Sequence, residues 1–282
     1  MQAHLALLGA SLIWGLSYLG TKIALQDMGP FQMATVRVLL AAVFYVPVFI
    51  ATRGTLSLGQ GLILGLLGVV LYYLGFNVGL QYARVTDAGV IQASIPAVSA
   101  LLAIPMLGER PGVPVWAGIA LSFVGVVVLV GGTGFAGEGS LIGDLLIVWS
   151  VLIWGLYSVY VRRLGTQAGP GAITAATLVW GGLLCVPLGV AELAFVTPRL
   201  TPSGVGATLA LAIFAGALAY WLWSYGLARV EAARATTYLN LLPLVAAVSG
   251  ALLLGERVGP IEIAGGLLIV GGVTLAARAH SS

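Results

Sequence analysis

Charge is what this chain lacks most. Only 7% of its 282 residues are Asp, Glu, Lys or Arg, where a soluble domain carries about 25%. A water-facing surface cannot be built from so little charge, so a soluble globular fold is excluded and the bilayer becomes the solvent. Cysteine is nearly absent, and the lone Cys185 excludes an intramolecular disulfide. The two histidines, His4 and His280, stand at the chain ends. Intramembrane proteases and zinc enzymes need His, Asp or Cys in their cores, and no P-loop or dinucleotide fingerprint occurs. The expectation is a protein that is not an enzyme, with no metal and no cofactor.

Acidic groups are missing where coupling would need them. Asp27, Asp87, Glu109, Glu138, Asp144, Glu231 and Glu256 fall in loops or at helix ends, and Glu192 and Glu262 lie close to ends. Proton-coupled cation exporters use a buried carboxylate that trades a proton for substrate. Its absence argues against obligate proton antiport and against permanent cations as substrates. The twelve basic residues are scattered singly, so the net charge of +3 reports topology and not nucleic-acid binding.

What the chain does have is apolar length, with 60% hydrophobic residues. A spanning helix needs about 20 largely apolar residues. Ten such segments are read near 4–25, 31–52, 59–82, 86–107, 113–131, 143–164, 171–192, 204–228, 233–254 and 260–278. They are continuous and rich in Leu, Ala, Gly and Val, unlike the alternating short strands of a membrane barrel. The expected fold class is an all-α membrane protein of ten transmembrane helices. The first segment lacks a basic leader and is read as a retained helix. Forty glycines suit close helix packing, with Gly61, Gly65 and Gly68, and Gly75 with Gly79, each along one face.

The chain also repeats itself. Leu12-Ile13-Trp14-Gly15-Leu16 recurs as Leu152-Ile153-Trp154-Gly155-Leu156, and Leu107-Gly108-Glu109-Arg110 recurs as Leu254-Gly255-Glu256-Arg257. At an offset of 140, Gly29-Pro30 meets Gly169-Pro170 and Val46-Pro47 meets Val186-Pro187. At an offset of 147, Gly79-Leu80 meets Gly226-Leu227, Pro96 meets Pro243 and Gly118 meets Gly265. The change of 7 is absorbed by the loop from Thr197 to Pro202. The division is a first repeat over 1–131, a glycine-rich linker over 132–142 and a second repeat over 143–282. Five helices per half is an odd number, so the second half starts on the opposite side of the membrane. The expected plan is two inverted five-helix repeats, a plan used by many secondary transporters.

Basic residues orient the chain. With a cytoplasmic N-terminus, the inside holds Arg53, Arg110, Arg162, Arg163, Arg229, Arg234 and Arg278, seven in all. The outside then holds four, Lys22, Arg84, Arg199 and Arg257. Both termini are expected in the cytoplasm.

Ten helices, paired five-helix repeats, an early Leu-Ile-Trp-Gly in each half and a Gly-Glu-Arg closing each fourth helix resemble the EamA family of the drug/metabolite transporter superfamily. The resemblance covers essentially the whole chain. It implies a bacterial inner-membrane carrier that exports amino acids or small metabolites, and within the family the chain looks most like exporters of aromatic amino acids of the YddG type. The expected partners are a small-molecule substrate and the lipid bilayer, with no nucleic acid, and the expected working unit is a monomer.

Polar and aromatic groups inside the membrane are expected to face a cavity or a partner. The candidate substrate-binding residues are Trp14 and Tyr18 on the first helix, Tyr73 and Asn77 on the third, and Gln92 and Ser94 on the fourth. Their counterparts are Trp154 and Tyr157 on the sixth, Tyr220 and Ser224 on the eighth, and Asn240 on the ninth. Aromatic walls suit rings by stacking and ammonium groups by cation–π contact. The competing reading is that such residues pack helices, bond their own backbone or line interfacial belts, and Tyr72, Tyr82 and Tyr238 fit a belt. Pro96 and Pro243 are expected to bend their helices and gate. Arg37, well inside the second helix, is expected to snorkel outward, with attraction of a substrate carboxylate near the exit as the other reading. The Gly-Glu-Arg motifs are expected to mark helix ends. A nucleotide-sugar carrier would need Lys or Arg deep in the cavity, so it ranks below a carrier of neutral or amphipathic metabolites. A multidrug carrier and a channel remain open.

Overall fold

The structure, a computed structural model, describes residues 2–108, 112–136, 140–165, 167–227, 237–256 and 258–279. Among these residues every regular element is helical. Without water to satisfy exposed backbone groups, helices bond their own N–H and C=O groups internally, which suits a bilayer. We name the rods α1 (Gln2–Ala24), α2 (Pro30–Ala51), α5 (Val113–Ala136), α6 (Leu141–Leu164), α7 (Pro170–Glu192) and α10 (Pro260–Ala279). The others are composite. α3 runs Leu58–Gly65, passes through a π-helical stretch Leu66–Leu71 and continues Tyr72–Tyr82. α4 is Val85–Gln92 followed by Ile95–Leu107. α8 runs Pro202–Ala210, a π-helical stretch Leu211–Leu218 and Ala219–Leu227. α9 enters through a 3-10 turn Thr237–Asn240 and continues Leu241–Leu254.

Seven stretches are long and apolar enough to cross a membrane: Gln2–Ala24, Pro30–Ala51, Leu58–Tyr82, Val85–Met106, Leu141–Val161, Pro170–Glu192 and Pro202–Trp223. Shorter apolar stretches, Trp116–Gly125 and Pro260–Gly272, lie in α5 and α10. Large apolar side chains such as Phe44, Phe123, Trp221 and Leu252 point outward from the bundle, as a lipid-facing surface requires. Together these features make the chain a multi-pass membrane protein.

Local signals set many of the ends. Pro30, Pro170 and Pro202 open their helices at positions whose N–H would have no partner. Ser57 accepts from the Gln60 backbone while Gln60 reaches back to Ser57, a reciprocal cap. Gly108 and Gly255, one from each Leu-Gly-Glu-Arg motif, take positive φ of 71° and 68° just past α4 and α9. Only glycine adopts that conformation at no steric cost, so these motifs do end helices.

Packing relies on small residues. α2 lies against α7, α5 against α10, and the first segment of α4 against α9. α1 packs on α8 and α9, while α6 packs on α3 and the second segment of α4. A methyl group on Gly15 would meet Val245 at 2.6 Å, and one on Gly155 would meet Val98 at 3.0 Å. One on Gly216 would meet Ala41 at 2.7 Å, and one on Gly181 would meet Val69 Cβ at 2.6 Å. Gly125 abuts the carbonyl of Gly265, and Gly272 abuts that of Gly118. Each contact has a twin at the repeat offsets of 140 and 147. Without a hydrophobic force between helices in lipid, close approach through small residues is what holds such a bundle together.

Candidate functional site

The rings of α1, α3, α6 and α8 converge. Tyr18 of α1 meets Phe76 of α3 edge-on with centroids 5.1 Å apart. Tyr72 stacks on Phe76 at 5.4 Å and 9°, one turn away on the same helix. Tyr72 also meets Trp154 of α6 at 4.8 Å, and Trp154 meets Tyr157 at 5.0 Å. Across the bundle, Trp14 lies 5.5 Å from Tyr220 and 5.4 Å from Trp223 of α8. Tyr220 lies within electrostatic range of Tyr157, Tyr73, Tyr72 and Arg37, which places the two groups of rings near one another. Six expected residues, Trp14, Tyr18, Tyr73, Trp154, Tyr157 and Tyr220, thus share one region. Such contacts are worth about 0.5–1.5 kcal/mol per pair beyond area burial. Trp14, Tyr72, Trp154, Tyr220 and Trp223 stay only half-buried, while Tyr18, Tyr73, Tyr157 and Phe76 are buried.

The polar candidates divide. Gln92 donates to Ser150 Oγ at 2.8 Å and interacts with the Tyr72 hydroxyl, so it faces the rings. Ser94 donates instead to Ile91 of its own helix at 2.7 Å. Asn77 donates to the Pro30 carbonyl at 3.1 Å and ties α3 to the start of α2. Tyr157 shares a hydrogen bond of 3.0 Å with Thr177, itself bonded to Ile173. Trp14 donates to the Ala215 carbonyl at 3.1 Å. The side chains of Ser224, Asn240, Pro96 and Pro243 lie outside the described residues.

The backbone near those prolines differs from a simple kink. α4 is interrupted at Ala93-Ser94, whose amides bond Val90 and Ile91 at three-residue spacing. Pro96 then falls in the first turn of the new segment, where its missing donor costs nothing. Pro243 follows the 3-10 turn of α9 in the same way. In the first half an interruption precedes the proline; in the second a 3-10 turn does.

Three features were not legible beforehand. Tyr72, expected in an interfacial belt, sits inside the ring cluster. Ser150 lies four residues before Trp154 and so on the same helical face, a spacing that carries no polar signal of its own. The π-helical stretches of α3 and α8 leave no simple sequence signal. Their carbonyls accept side-chain donors from elsewhere: Leu71 from Trp149 at 3.2 Å, Ala215 from Trp14, and Ala217 from Tyr45 at 3.1 Å. Such stretches occur often at functional sites.

Arg37 does not snorkel. It is 6% exposed and lies on the stripe of α2 that also buries Ala34, Val38 and Ala41. Its guanidinium sits 5.2 Å from the centre of the Tyr73 ring. Packing of α2 against α3, α7 and α8 leaves the side chain no route to the interface. An arginine at the centre of a spanning helix costs about 2.5–3.5 kcal/mol on insertion scales, which bounds the cost here from above. A desolvated cation–π contact returns about 2 kcal/mol, so the ring offsets part of the cost.

The end of the bundle where α1 finishes is sealed by polar contacts. Arg84, in the α3–α4 turn, pairs with Glu262 of α10 at 2.5 Å. Burial alone would lower the pKa of Arg84, but the carboxylates of Asp87, Glu262 and Glu256 raise it above its ordinary value. Glu256 accepts from Val85 and Thr86 at the start of α4, at 2.8 and 2.9 Å. Glu192 accepts likewise from Phe31 and Gln32 at the start of α2, at 3.0 and 2.9 Å. A carboxylate at a helix N-terminus meets unpaired N–H groups and the positive end of the dipole. Lys22 donates to the Ala83 carbonyl, and Thr201 to Asp27. Asp87 and Asp144 sit at helix starts, as expected, but both are fully buried. Among the described residues, no three His, Cys, Asp or Glu side chains converge as metal ligands.

Comparison with known proteins accords with this geometry. The profile of the EamA-like transporter family matches residues 1–131 and again 141–278. The chain belongs to the EamA-like transporter family. An uncharacterized transporter of Archaeoglobus fulgidus is 29% identical over 97% of this chain and 96% of its own. A probable amino-acid metabolite efflux pump of Escherichia coli is 26% identical over 93% of this chain and 90% of its own. Its namesake in Salmonella typhimurium is 28% identical over the same shares. A crystal structure of a protein at 21% identity superposes with a TM-score of 0.67 over 97% of both chains, which shows a shared fold.

Proposed function

We propose that this EamA-like transporter is a carrier of the bacterial inner membrane that exports small neutral or amphipathic metabolites, amino acids first and aromatic ones above others. The observation that carries the reading is the convergence of rings from α1, α3, α6 and α8 beside Gln92 and Arg37. Aromatic walls bind apolar side chains by stacking and burial. The efflux pumps among its relatives supply the amino-acid expectation.

In this reading all ten rods span the membrane as two inverted repeats. The twinned contacts Gly15–Val245 and Gly155–Val98, and Gly118–Gly272 and Gly125–Gly265, support it. With both termini cytoplasmic, the polar seal closes the outer side. Alternating access then rocks one half against the other, with the break before Pro96 and the 3-10 turn before Pro243 as hinges, in a single chain acting as a monomer. A nucleotide sugar is disfavoured, because one deep guanidinium is fewer than two phosphates call for.

Counterflow in liposomes tests this. Vesicles loaded with unlabelled phenylalanine or tryptophan accumulate the labelled solute. Exchange restricted to small aliphatic solutes overturns the aromatic preference. Absence of exchange across a broad metabolite panel overturns the carrier.

A further inference from the structure

The described cations set into this protein are partnered, with one exception. Lys22 donates to the Ala83 carbonyl and Arg84 pairs with Glu262. Arg37 is as buried as Arg84, yet no described carboxylate lies within ion-pair distance of it. Its Nε makes no hydrogen bond. It lies against the face of Tyr73 at 5.2 Å, with Tyr72 and Tyr220 within electrostatic range. Arg37 stands seven residues into α2, roughly 10 Å along the helix from its start. The guanidinium is therefore a fixed, desolvated positive charge inside the ring cluster.

Buried charges are normally paired, and an ionisable group within a membrane protein faces a pathway or a partner. The guanidinium fork matches a carboxylate through two parallel hydrogen bonds. No counterpart for an ammonium group is present on the same scale. Among the described residues no acid touches the ring cluster, and the acids Asp87, Asp144, Glu256 and Glu262 belong to the sealed end.

We infer that Arg37 is the carboxylate anchor of the transport site, and that its substrates are apolar or aromatic carboxylates whose amino group is dispensable. This rests on the carrier reading above. The acid lies against Arg37, and the ring or apolar chain lies among Tyr72, Phe76, Trp154 and Tyr220. Amino acids bind as one case of this class. Aromatic acids without an amine bind as well.

The full chain, purified and reconstituted, is tested with three probes that share a phenyl ring: phenylalanine, 3-phenylpropionate and phenethylamine. Competition against labelled phenylalanine in counterflow is the first readout. Thermal stabilisation of the detergent-solubilised protein by each probe is the second, and it does not depend on transport. The expected result is that 3-phenylpropionate competes and stabilises at least as well as phenylalanine, while phenethylamine does neither. Arg37→Gln loses stabilisation by the acids and weakens apparent affinity at least tenfold. Arg37→Lys retains part of both. Without ligand, Arg37→Gln melts no lower than the parent, because it removes an unpaired buried charge. If phenethylamine competes as well as the acid, or Arg37→Gln binds 3-phenylpropionate unchanged, the anchor is wrong although the carrier stands. If no probe is exchanged but the acids still stabilise through Arg37, the anion site stands and the carrier reading fails. If no probe stabilises or competes, the anchor is overturned.

Discussion

Trp14 contributes a ring and a donor, and substitution separates them. Its ring edge meets Tyr220, and its indole N–H bonds the Ala215 carbonyl in the π-helical stretch of α8. Trp14→Phe keeps an aromatic surface and removes the donor. A neutral hydrogen bond is worth about 0.5–1.5 kcal/mol net, so the melting temperature falls by only about 1–6 °C, measured in detergent, and counterflow persists. A much larger fall contradicts the assignment of that bond as ordinary. At this scale the sequence was informative about which rings lie near one another, because Trp14/Trp154 and Tyr73/Tyr220 stand at matched positions. It was misleading where one side chain had two plausible homes. Tyr72 has the composition of a belt residue and the position of a cluster residue, and only the rotation of α3 decides between them. Ser94 has the composition of a site residue, but Ile91 offers its hydroxyl a local acceptor. Arg37 has the length to reach the interface, but packing of α2 on three neighbours denies it the route.

Between elements, contact is made by glycine. The α5–α10 pair is the clearest case, since Gly125 sits against Gly265 and Gly272 against Gly118. A methyl at Gly125 would lie 2.7 Å from the Gly265 oxygen, and backbone cannot rotate away as a side chain can. Overpacking a close contact costs about 1–3 kcal/mol. Gly125→Ala is expected to lower the melting temperature, and Gly125→Leu to abolish the monodisperse peak on size exclusion. Gly59→Ala, in a position with open space around it, leaves both unchanged and serves as the control. Element existence was readable from apolar length, and the segments near 4–25, 31–52, 59–82 and 171–192 agree with the observed helices to within a few residues. Internal breaks were not. The proline signals were real, yet the interruption of α4 falls two residues earlier, at Ala93-Ser94, because a proline is best placed in a first turn. α5 also extends to Ala136, into the glycine-rich stretch read as linker. Glycine disfavours a helix interior by about 1 kcal/mol in water, and that penalty does not prevent helix where the backbone must bond internally.

As a whole, the molecule couples a ring-lined centre to one polar, cross-braced end. The brace joins the α3–α4 turn to α9 and α10, and the start of α2 to the end of α7. Acidic residues at helix ends were legible in the sequence; their burial as a connected brace was not, since it depends on helices distant in the chain. The central claim is that the ring cluster, and not aromatic content in general, binds the transported solute. Trp154 and Trp221 provide the contrast. Trp154 is half-buried among Tyr72 and Tyr157, whereas Trp221 is 56% exposed on the outside of the bundle and stacks on Tyr225. The deciding measurement is the concentration dependence of counterflow for Trp154→Ala and Trp221→Ala beside the parent, each checked for folding by size exclusion. The account predicts a half-saturation concentration raised at least tenfold in Trp154→Ala and unchanged in Trp221→Ala. Equal effects of the two substitutions, or full activity in folded Trp154→Ala, would contradict it.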